Sequence, residues 1–166
     1  VADIGTGSGA IAITIQKEVP NAKVTATDIS EKALQVATKN AERLSALIDF
    51  KQGDLAEPIS HEKWDIVLSN PPYIAHSEAP SLSDTVMDYE PHLALFADED
   101  GLLLYRKLAE QLPSLMNSTS LIGFEIGYEQ GPAVAGMLQK AFPKGNVEVI
   151  QDINGKNRFV FCTNAE

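Results

Sequence analysis

Cysteine is almost absent from this sequence, since Cys162 is the only one among 166 residues. An internal disulfide is therefore excluded, and a lone thiol is typical of a reducing compartment, so we expect a cytoplasmic protein. Apolar runs as long as a membrane span are also missing, which predicts no membrane-embedded segment. We expect Cys162 itself to lie in the hydrophobic core.

Basic residues are scarce as well. The 13 Lys and Arg residues face 23 Asp and Glu, which leaves a formal net charge of −10. A broad basic surface for nucleic-acid phosphates is therefore not expected, and neither is direct binding to DNA. The three histidines, His61, His76 and His92, are scattered without ligand spacing, so we predict no metal site.

The rest of the composition, with 44% apolar and 22% charged residues, is typical of a globular protein. The length predicts a single domain over residues 1–166. Apolar runs of strand length alternate with segments of helical period. This alternation predicts an α/β fold with a seven-stranded, mostly parallel sheet and helices on both faces. The predicted strands are Val1 to Ile4, Lys23 to Thr27, Ile48 to Gln52, Trp64 to Ser69, Thr119 to Ile126, Val147 to Gln151 and Asn157 to Thr163.

Local signals refine this architecture at three places. Ser30 is a candidate N-cap for the helix that follows the second strand. The segment from Ala10 to Ile15 is apolar almost all round, which predicts a helix buried on both sides. Asn154-Gly155 favours a tight hairpin between the last two strands, so the seventh strand should run antiparallel to its neighbour.

One connection is unusually long. Between Asn70 and about Gly101 the sequence holds four prolines and no clear period. Such loops in compact domains are usually functional, and this one leaves the carboxyl end of a strand, where open α/β sheets bind ligands. We therefore expect the substrate there. Glu90, within this loop, is a candidate for shaping the substrate pocket or for a loop-fixing hydrogen bond.

A glycine-rich loop follows the first strand, with the sequence Gly5-Thr6-Gly7-Ser8-Gly9. Glycines let the chain turn sharply and bring backbone amides against a ligand without an intervening Cβ. Asp28 stands at the end of the second strand, where a carboxylate accepts both hydroxyls of a ribose. The loop and this acid together predict a pocket for an adenosine-containing cofactor.

The spacing of the glycines discriminates between nucleotides. Dinucleotide sites prefer Gly-x-Gly-x-x-Gly, and a P-loop needs a Gly-Lys-Ser/Thr that is missing here. The Gly-x-Gly-x-Gly spacing, with Asp3 two residues before it, resembles the S-adenosylmethionine loop of class I methyltransferases. The predicted cofactor is therefore S-adenosyl-L-methionine, and its predicted ligands here are Gly5, Thr6, Gly7, Ser8, Gly9 and Asp28.

A second acid follows the third strand in Gly53-Asp54-Leu55. The exocyclic amine of adenine is a hydrogen-bond donor, so the carboxylate of Asp54 is a suitable partner, with Leu55 packing on the ring. Gly-Asp after a strand is also typical of a plain turn, and that alternative stays open.

Asn70-Pro71-Pro72-Tyr73 directly follows the fourth strand. A planar NH₂ group with a delocalised lone pair is a poor nucleophile and needs acceptors for its hydrogens. The side-chain oxygen of Asn70 and the backbone carbonyl of Pro71 suit that role. The prolines stiffen the turn, and Tyr73 offers a flat face. We predict that all four residues bind substrate, that Asn70, Pro71 and Tyr73 are catalytic, and that Asn70 also borders the cofactor.

These motifs, together with three later stretches, resemble the HemK/PrmC-type protein-(glutamine N5) methyltransferases over essentially the whole chain. The later stretches are Glu90 to Phe96, Asp100 to Leu102 with Tyr105-Arg106, and Glu125 to Tyr128. The resemblance implies a class I methyltransferase fold and activity on the glutamine of the Gly-Gly-Gln motif in bacterial peptide chain release factors. It places the carboxamide of that glutamine against Asn70 to Tyr73.

Members of that family also carry a small N-terminal helical domain that helps engage the release factor. The present sequence opens at Val1, already inside the first predicted strand, so we expect a catalytic domain without its docking domain.

Two alternatives stay open. An N6-adenine or N4-cytosine nucleic-acid methyltransferase shares the Asn-Pro-Pro-Tyr motif, but it needs phosphate-neutralising basic residues and usually a target-recognition region, and neither is evident. A non-catalytic nucleotide-binding partner would keep the fold for assembly, and the intact motif argues against it.

Overall fold

The computed structural model describes residues 1–75, 96–97 and 101–164. The helices in these ranges are α1 (Ala10–Glu18), α2 (Glu31–Leu44), α3 (Leu103–Gln111) and α4 (Gly131–Ala141). The strands are β1 (Ala2–Ile4), β2 (Val24–Asp28), β3 (Ile48–Gln52), β4 (Trp64–Ser69), β5 (Ile74–Ala75), β6 (Phe96–Ala97), β7 (Met116–Glu125), β8 (Asn146–Gln151) and β9 (Asn157–Asn164). All seven predicted strands are present, although β7 begins at Met116 rather than at Thr119.

Seven of these strands form one sheet in the order β3-β2-β1-β4-β7-β9-β8. All neighbouring pairs among the first five are parallel, whereas β9 runs antiparallel to both β7 and β8. The antiparallel seventh strand is thus confirmed, and it lies between β7 and β8. Asp152 supports the hairpin, because its carboxylate accepts the backbone N–H groups of Asn154 and Lys156.

The helices cover both faces of this sheet, as predicted. Crossovers between parallel strands are right-handed, so α1 and α2, which lead away from β1 in one direction, lie on one face. The helices α3 and α4, which lead in the other direction, lie on the opposite face. Contacts between α1 and α2, and between α3 and α4, agree with this arrangement.

The two faces enclose hydrophobic clusters of unequal size. The larger cluster is formed with α3 and α4, and it includes Tyr105, Leu108, Val134 and Cys162. The side chains of β1 alternate, so Ala2 and Ile4 belong to this cluster while Asp3, between them, is directed to α1. The core position predicted for Cys162 is confirmed.

Two local expectations met different outcomes. Ser30 caps α2 as predicted, because its hydroxyl accepts the N–H of Ala33. The prediction that the helix from Ala10 is buried on both sides is wrong, since Ala10 and Thr14 are exposed. One face of α1 packs on the sheet and on α2, while Ala10, Thr14 and Lys17 on the helix are exposed.

The long connection after β4 also contains regular structure that the sequence did not indicate. β5 and β6 pair in parallel, with Ile74 opposite Phe96. Strands of two residues are too short to produce a period in the sequence. Glu90 and most of the stretch from Glu90 to Phe96 lie outside the described residues.

None of the helices within the described ranges has the length and apolarity that crossing a bilayer requires.

Candidate active site

The carboxyl ends of five parallel strands meet at one edge of the sheet. Across that edge, the strand order brings five groups side by side at the ends of β3, β2, β1, β4 and β7. They are, in that order, Asp54, Asp28, the glycine loop, Asn70 and Glu125. β1 is the point from which the chain winds in both directions, and ligands of open α/β sheets bind in the crevice at such a point. Asp28 and Asp54 therefore lie to one side of the glycine loop, and the Asn-Pro-Pro-Tyr motif lies to the other.

The glycine loop has a backbone that other residues rarely adopt. Gly5, Gly7 and Gly9 have φ angles of +72°, +57° and +84°, in the left-handed region. Nothing lies within 4 Å of the position that a Cβ would occupy on Gly5 or Gly7. The loop is anchored below, where Thr27 O accepts the N–H groups of Gly5 and Thr6 at 2.8 and 2.9 Å. It therefore presents its backbone to an open space.

Asp3 fixes the glycine loop to the first turn of α1. Its Oδ2 accepts the hydroxyl of Thr6 at 2.6 Å and the N–H of Ala12 at 3.1 Å. The residue is fully buried, and Oδ1 has no hydrogen-bond partner within the described part of the chain. Burial raises the pKa of the Asp3 carboxyl from 3.8 to about 6, and the charge of Asp28 adds to the rise.

This pKa predicts how stability depends on pH. As pH rises from about 3 to about 7, the unfolded chain releases the Asp3 proton first, so folding becomes less favourable by about 3 kcal/mol from this group. Asp3→Asn cannot ionise, and its free energy of unfolding should gain about 3 kcal/mol relative to the original protein between about pH 3 and pH 7. Urea denaturation at each pH measures this difference.

Asp152→Asn is the control of opposite sign for this prediction. Backbone hydrogen bonds from Lys156 and Asn154, together with the Arg158 guanidinium, hold the pKa of Asp152 below its ordinary value. The stability of Asp152→Asn relative to the original protein should therefore fall as pH rises. Asp3→Asn and the original protein should differ in the free energy of unfolding by an amount that changes with pH. A constant difference would contradict the burial argument.

Asp28 is the last residue of β2 and is half-buried. Its Oδ2 accepts the N–H of Gly7 and its Oδ1 accepts the N–H of Ser30, both at 2.8 Å. The carboxylate is therefore held in one orientation between the glycine loop and the start of α2. Each oxygen keeps acceptor capacity beyond these bonds, so the group is able to receive two hydroxyls.

The sequence left open whether the segment after β3 contacts adenine or forms a plain turn. Asp54 starts a turn, since its carbonyl accepts the N–H of Glu57 at 3.0 Å. Its half-exposed carboxylate lies 3.8 Å from Lys107 Nζ of α3, an ion pair that the sequence did not indicate. Leu55 has φ +48° and is only 9% exposed, so most of its side chain belongs to the core. The adenine contacts of both residues stay predictions.

The Asn-Pro-Pro-Tyr motif begins beside the glycine loop. Ser69 pairs with Ile4 across β4 and β1, and its hydroxyl donates to Ile4 O at 2.7 Å. The next residue, Asn70, is exposed, and its side chain makes no hydrogen bond within the part of the chain that the structure describes. Pro71 is buried, and Tyr73 packs against the larger hydrophobic cluster. Asn70 is thus exposed beside the start of the glycine loop.

Sequence reasoning missed the groups that hold the neighbouring loops. Gln130, which follows β7, bonds to Tyr73 O at 2.9 Å. Tyr105 is fully buried and donates its hydroxyl to Glu125 O at 2.6 Å, at the carboxyl end of β7. Burial raises the pKa of Tyr105 above its ordinary value, so this hydroxyl stays a donor. These contacts join residues far apart in sequence, so no local pattern indicates them.

Within residues 1–75, 96–97 and 101–164, no three or more His, Cys, Asp or Glu side chains are grouped so that they could hold a metal ion.

Comparison with known proteins identifies a family for this chain. The model of the methyltransferase small domain family matches residues 1–89. Release factor glutamine methyltransferase of Bacillus anthracis is 48% identical over 164 residues, which are 98% of this chain and 58% of that protein. The chain covers a similar share of the other release factor glutamine methyltransferases that it matches, for example 56% of the one from Bacillus subtilis.

Solved structures agree on the fold. A methyltransferase from Pyrococcus furiosus superimposes with a TM-score of 0.74 at 18% identity, covering 99% of this chain and 74% of that one. The release factor-specific protein-(glutamine-N5) methyltransferase from Alicyclobacillus acidocaldarius gives 0.58 at 24% identity, covering 99% and 79%. At such identities the likeness concerns the fold alone, which is that of class I methyltransferases. By its sequence and by this fold, the chain belongs to the methyltransferase small domain family.

Proposed function

We propose that this chain is the catalytic domain of an S-adenosylmethionine-dependent enzyme that methylates the side-chain amide nitrogen of a glutamine in peptide chain release factors. The observation that carries the proposal is the order of groups along the carboxyl edge of the sheet. Asp54, Asp28, the glycine loop and Asn70 follow one another from β3 to β4. That order matches adenine, ribose, the methionine part and the acceptor nitrogen.

The residues present fit this cofactor. The space above Gly5 and Gly7 is open, so a ligand is able to approach their backbone closely. The fixed carboxylate of Asp28 suits the two ribose hydroxyls. Asp54 and Leu55 would meet the adenine. When bound, S-adenosylmethionine supplies a methyl group already activated on a positively charged sulfur.

The chain itself has to orient the amide nitrogen and to stabilise the charge that develops on it. Asn70 is exposed beside the glycine loop, and its side-chain oxygen is available as an acceptor. The carbonyl of Pro71 would receive the second hydrogen. Both acceptors lie on a turn that two prolines stiffen, so little reorganisation is needed during the reaction. Tyr73 would support the flat carboxamide. Alignment then supplies much of the rate, without a dedicated base.

The substrate class follows from the relatives and from charge. The relatives that match nearly the whole chain are named release factor glutamine methyltransferases. A net charge of −10 disfavours a nucleic-acid substrate, because phosphate backbones require neutralising basic groups. A release factor is therefore the proposed partner, with no direct contact to DNA. We propose that the protein acts in the cytoplasm, in keeping with its single free thiol.

Transfer of labelled methyl from S-adenosylmethionine tests this proposal. The acceptors are a purified release factor, the same factor with the glutamine of its Gly-Gly-Gln motif changed to alanine, and a DNA duplex. We expect label only on the unmodified factor. Label on DNA, or label that persists on the glutamine-to-alanine factor, would refute the proposed substrate.

A binding experiment separates the cofactor from the substrate. Asp28→Ala should weaken S-adenosylmethionine binding about 10- to 100-fold, since hydrogen bonds to a charged group are lost. Asp49→Ala is the control, because the exposed Asp49 on β3 contacts only Lys51 among the described ion pairs. Calorimetry measures both, and equal affinities for the two variants would contradict the assignment of Asp28.

A further inference from the structure

Three segments that are distant in sequence meet at the carboxyl end of the Asn-Pro-Pro-Tyr motif. They are Tyr73 at the end of the motif, Gly101 just before α3, and the turn from Gly127 to Gln130 between β7 and α4. We call this meeting point the loop junction. Its centre is the side-chain amide of Gln130.

Both ends of that amide are engaged. Its Nε2 donates to Tyr73 O at 2.9 Å, and its Oε1 accepts the N–H of Gly127 at 3.0 Å. The backbone N–H of Gln130 also donates to Gly127 O at 3.0 Å. The side chain is therefore tied to its own turn and reaches from there to the motif, so its position is set before any substrate arrives.

The two glycines of the loop junction leave room for this contact. A Cβ on Gly101 would overlap Tyr73 O and would lie 2.5 Å from Gln130 Nε2. A Cβ on Gly127 would lie 3.4 Å from Cδ2 of the Tyr73 ring. The backbone of Tyr73 is thus enclosed by Gly101 and Gln130, and its ring lies next to Gly127.

The motif has an unusual need for such support. Pro71 and Pro72 carry no backbone N–H, so this turn cannot be anchored through its own donors in the middle. Its amino end is held on β1 by the hydrogen bond from Ser69 to Ile4. At its other end the Tyr73 carbonyl accepts a hydrogen bond from the side chain of Gln130. The proposed acceptors, Asn70 and the Pro71 carbonyl, lie between these two supports.

We propose that Gln130 is a positioning residue for catalysis, which holds the acceptors of the motif in the geometry that the transferred methyl group requires. It acts through its hydrogen bond to the Tyr73 carbonyl. This inference rests on the proposed function. A small displacement of the acceptors reduces the rate strongly, because alignment supplies much of the catalysis.

Gln130→Glu isolates the bond to Tyr73. The glutamate keeps an acceptor for the N–H of Gly127, but it loses the donor and places an oxygen against Tyr73 O. Gln130→Ala removes both bonds and serves as the second variant if the glutamate is poorly folded. Gln139→Ala is the matched control. Gln139 lies in α4, the helix that begins directly after Gln130, and its Nε2 donates to the carbonyls of Phe142 and Gly145 beyond the far end of that helix.

For Gln130→Glu we expect kcat toward the release factor to fall at least about tenfold, while KM and the Kd of S-adenosylmethionine stay within about twofold. Hydrogen–deuterium exchange in a peptide covering residues 69–75 should become faster. Gln139→Ala should change neither kcat nor exchange in that peptide, although its melting temperature is expected to fall.

Two results would overturn the inference. One is a kcat in both Gln130 variants equal to that of the original protein, and the other is unchanged exchange in residues 69–75. The exchange measurement needs no turnover, so it decides the role of Gln130 even if the original protein fails to methylate a release factor. That last failure would refute the proposed function instead.

Discussion

Asn70→Ala is expected to lower the rate of methyl transfer about 100- to 1000-fold, which is the usual cost of removing one preorganised group that stabilises developing charge. The side chain is exposed beside the glycine loop. Its loss takes away an acceptor without creating a cavity, so the fold should persist. The affinity for S-adenosylmethionine should change by no more than about threefold, because Asn70 only borders the cofactor.

Single-turnover kinetics with saturating cofactor measure this effect, and calorimetry measures the affinity. Asn117→Ala is the matched control, since Asn117 makes an exposed hydrogen bond to Asp65 at the amino end of β7. We expect this control to transfer methyl at the original rate. If Asn70→Ala retained most of its turnover, the account with two acceptors would be wrong. A loss of cofactor binding in proportion to the loss of rate would also contradict it.

Gly101→Ala is expected to have the largest structural effect, because both its backbone and its surroundings require glycine. Its φ is +78°, where a Cβ costs about 1–2 kcal/mol. That Cβ would also overlap the carbonyl of Tyr73, which is backbone and cannot rotate away. The loop junction must therefore open, and we expect a total loss of about 3–4 kcal/mol in the free energy of unfolding. The rate of methyl transfer should fall about 10- to 100-fold, since Tyr73 is displaced.

Gly155→Ala separates strain from overlap. Gly155 lies in the hairpin between β8 and β9 with φ +74°, and nothing lies within 4 Å of its Cβ position. This control should lose only the about 1–2 kcal/mol of backbone strain and should keep its rate. Chemical denaturation of both variants gives the two losses. Equal losses of unfolding free energy in the two variants would show that Gly101 does not lie against the Tyr73 carbonyl as described.

Most of the fold could be predicted from the sequence because its signals are local. Strand-length apolar runs alternating with helical periods indicated the parallel sheet, and Asn154-Gly155 indicated the reversed last strand. The N-cap role of Ser30 depends on neighbours within one helical turn. The same reasoning failed for α1, because an apolar composition does not reveal whether a second layer covers the outer face. It also missed β5 and β6, which are too short to show a period.

In the candidate site, too, the features with a local sequence signal could be predicted and the others could not. The glycine loop and Asn70 each follow a strand directly, and Asp28 ends one, so their place at the carboxyl edge could be predicted once the strands were recognised. The ion pair between Lys107 and Asp54 could not be predicted in this way, and neither could the burial of Leu55. Both depend on how α3 and the core approach the turn after β3.

The sequence by itself thus determined which chemical groups stand at the edge of the sheet and, through the resemblance it carries, which reaction to expect. Only the tertiary structure decided how those groups are held. Asp3 became a buried acid with a raised pKa because α1 covers it, and Gln130 reached Tyr73 because two loops more than fifty residues apart fold onto each other. Contacts of this kind arise from packing between distant segments, whose cost in chain entropy no local pattern records.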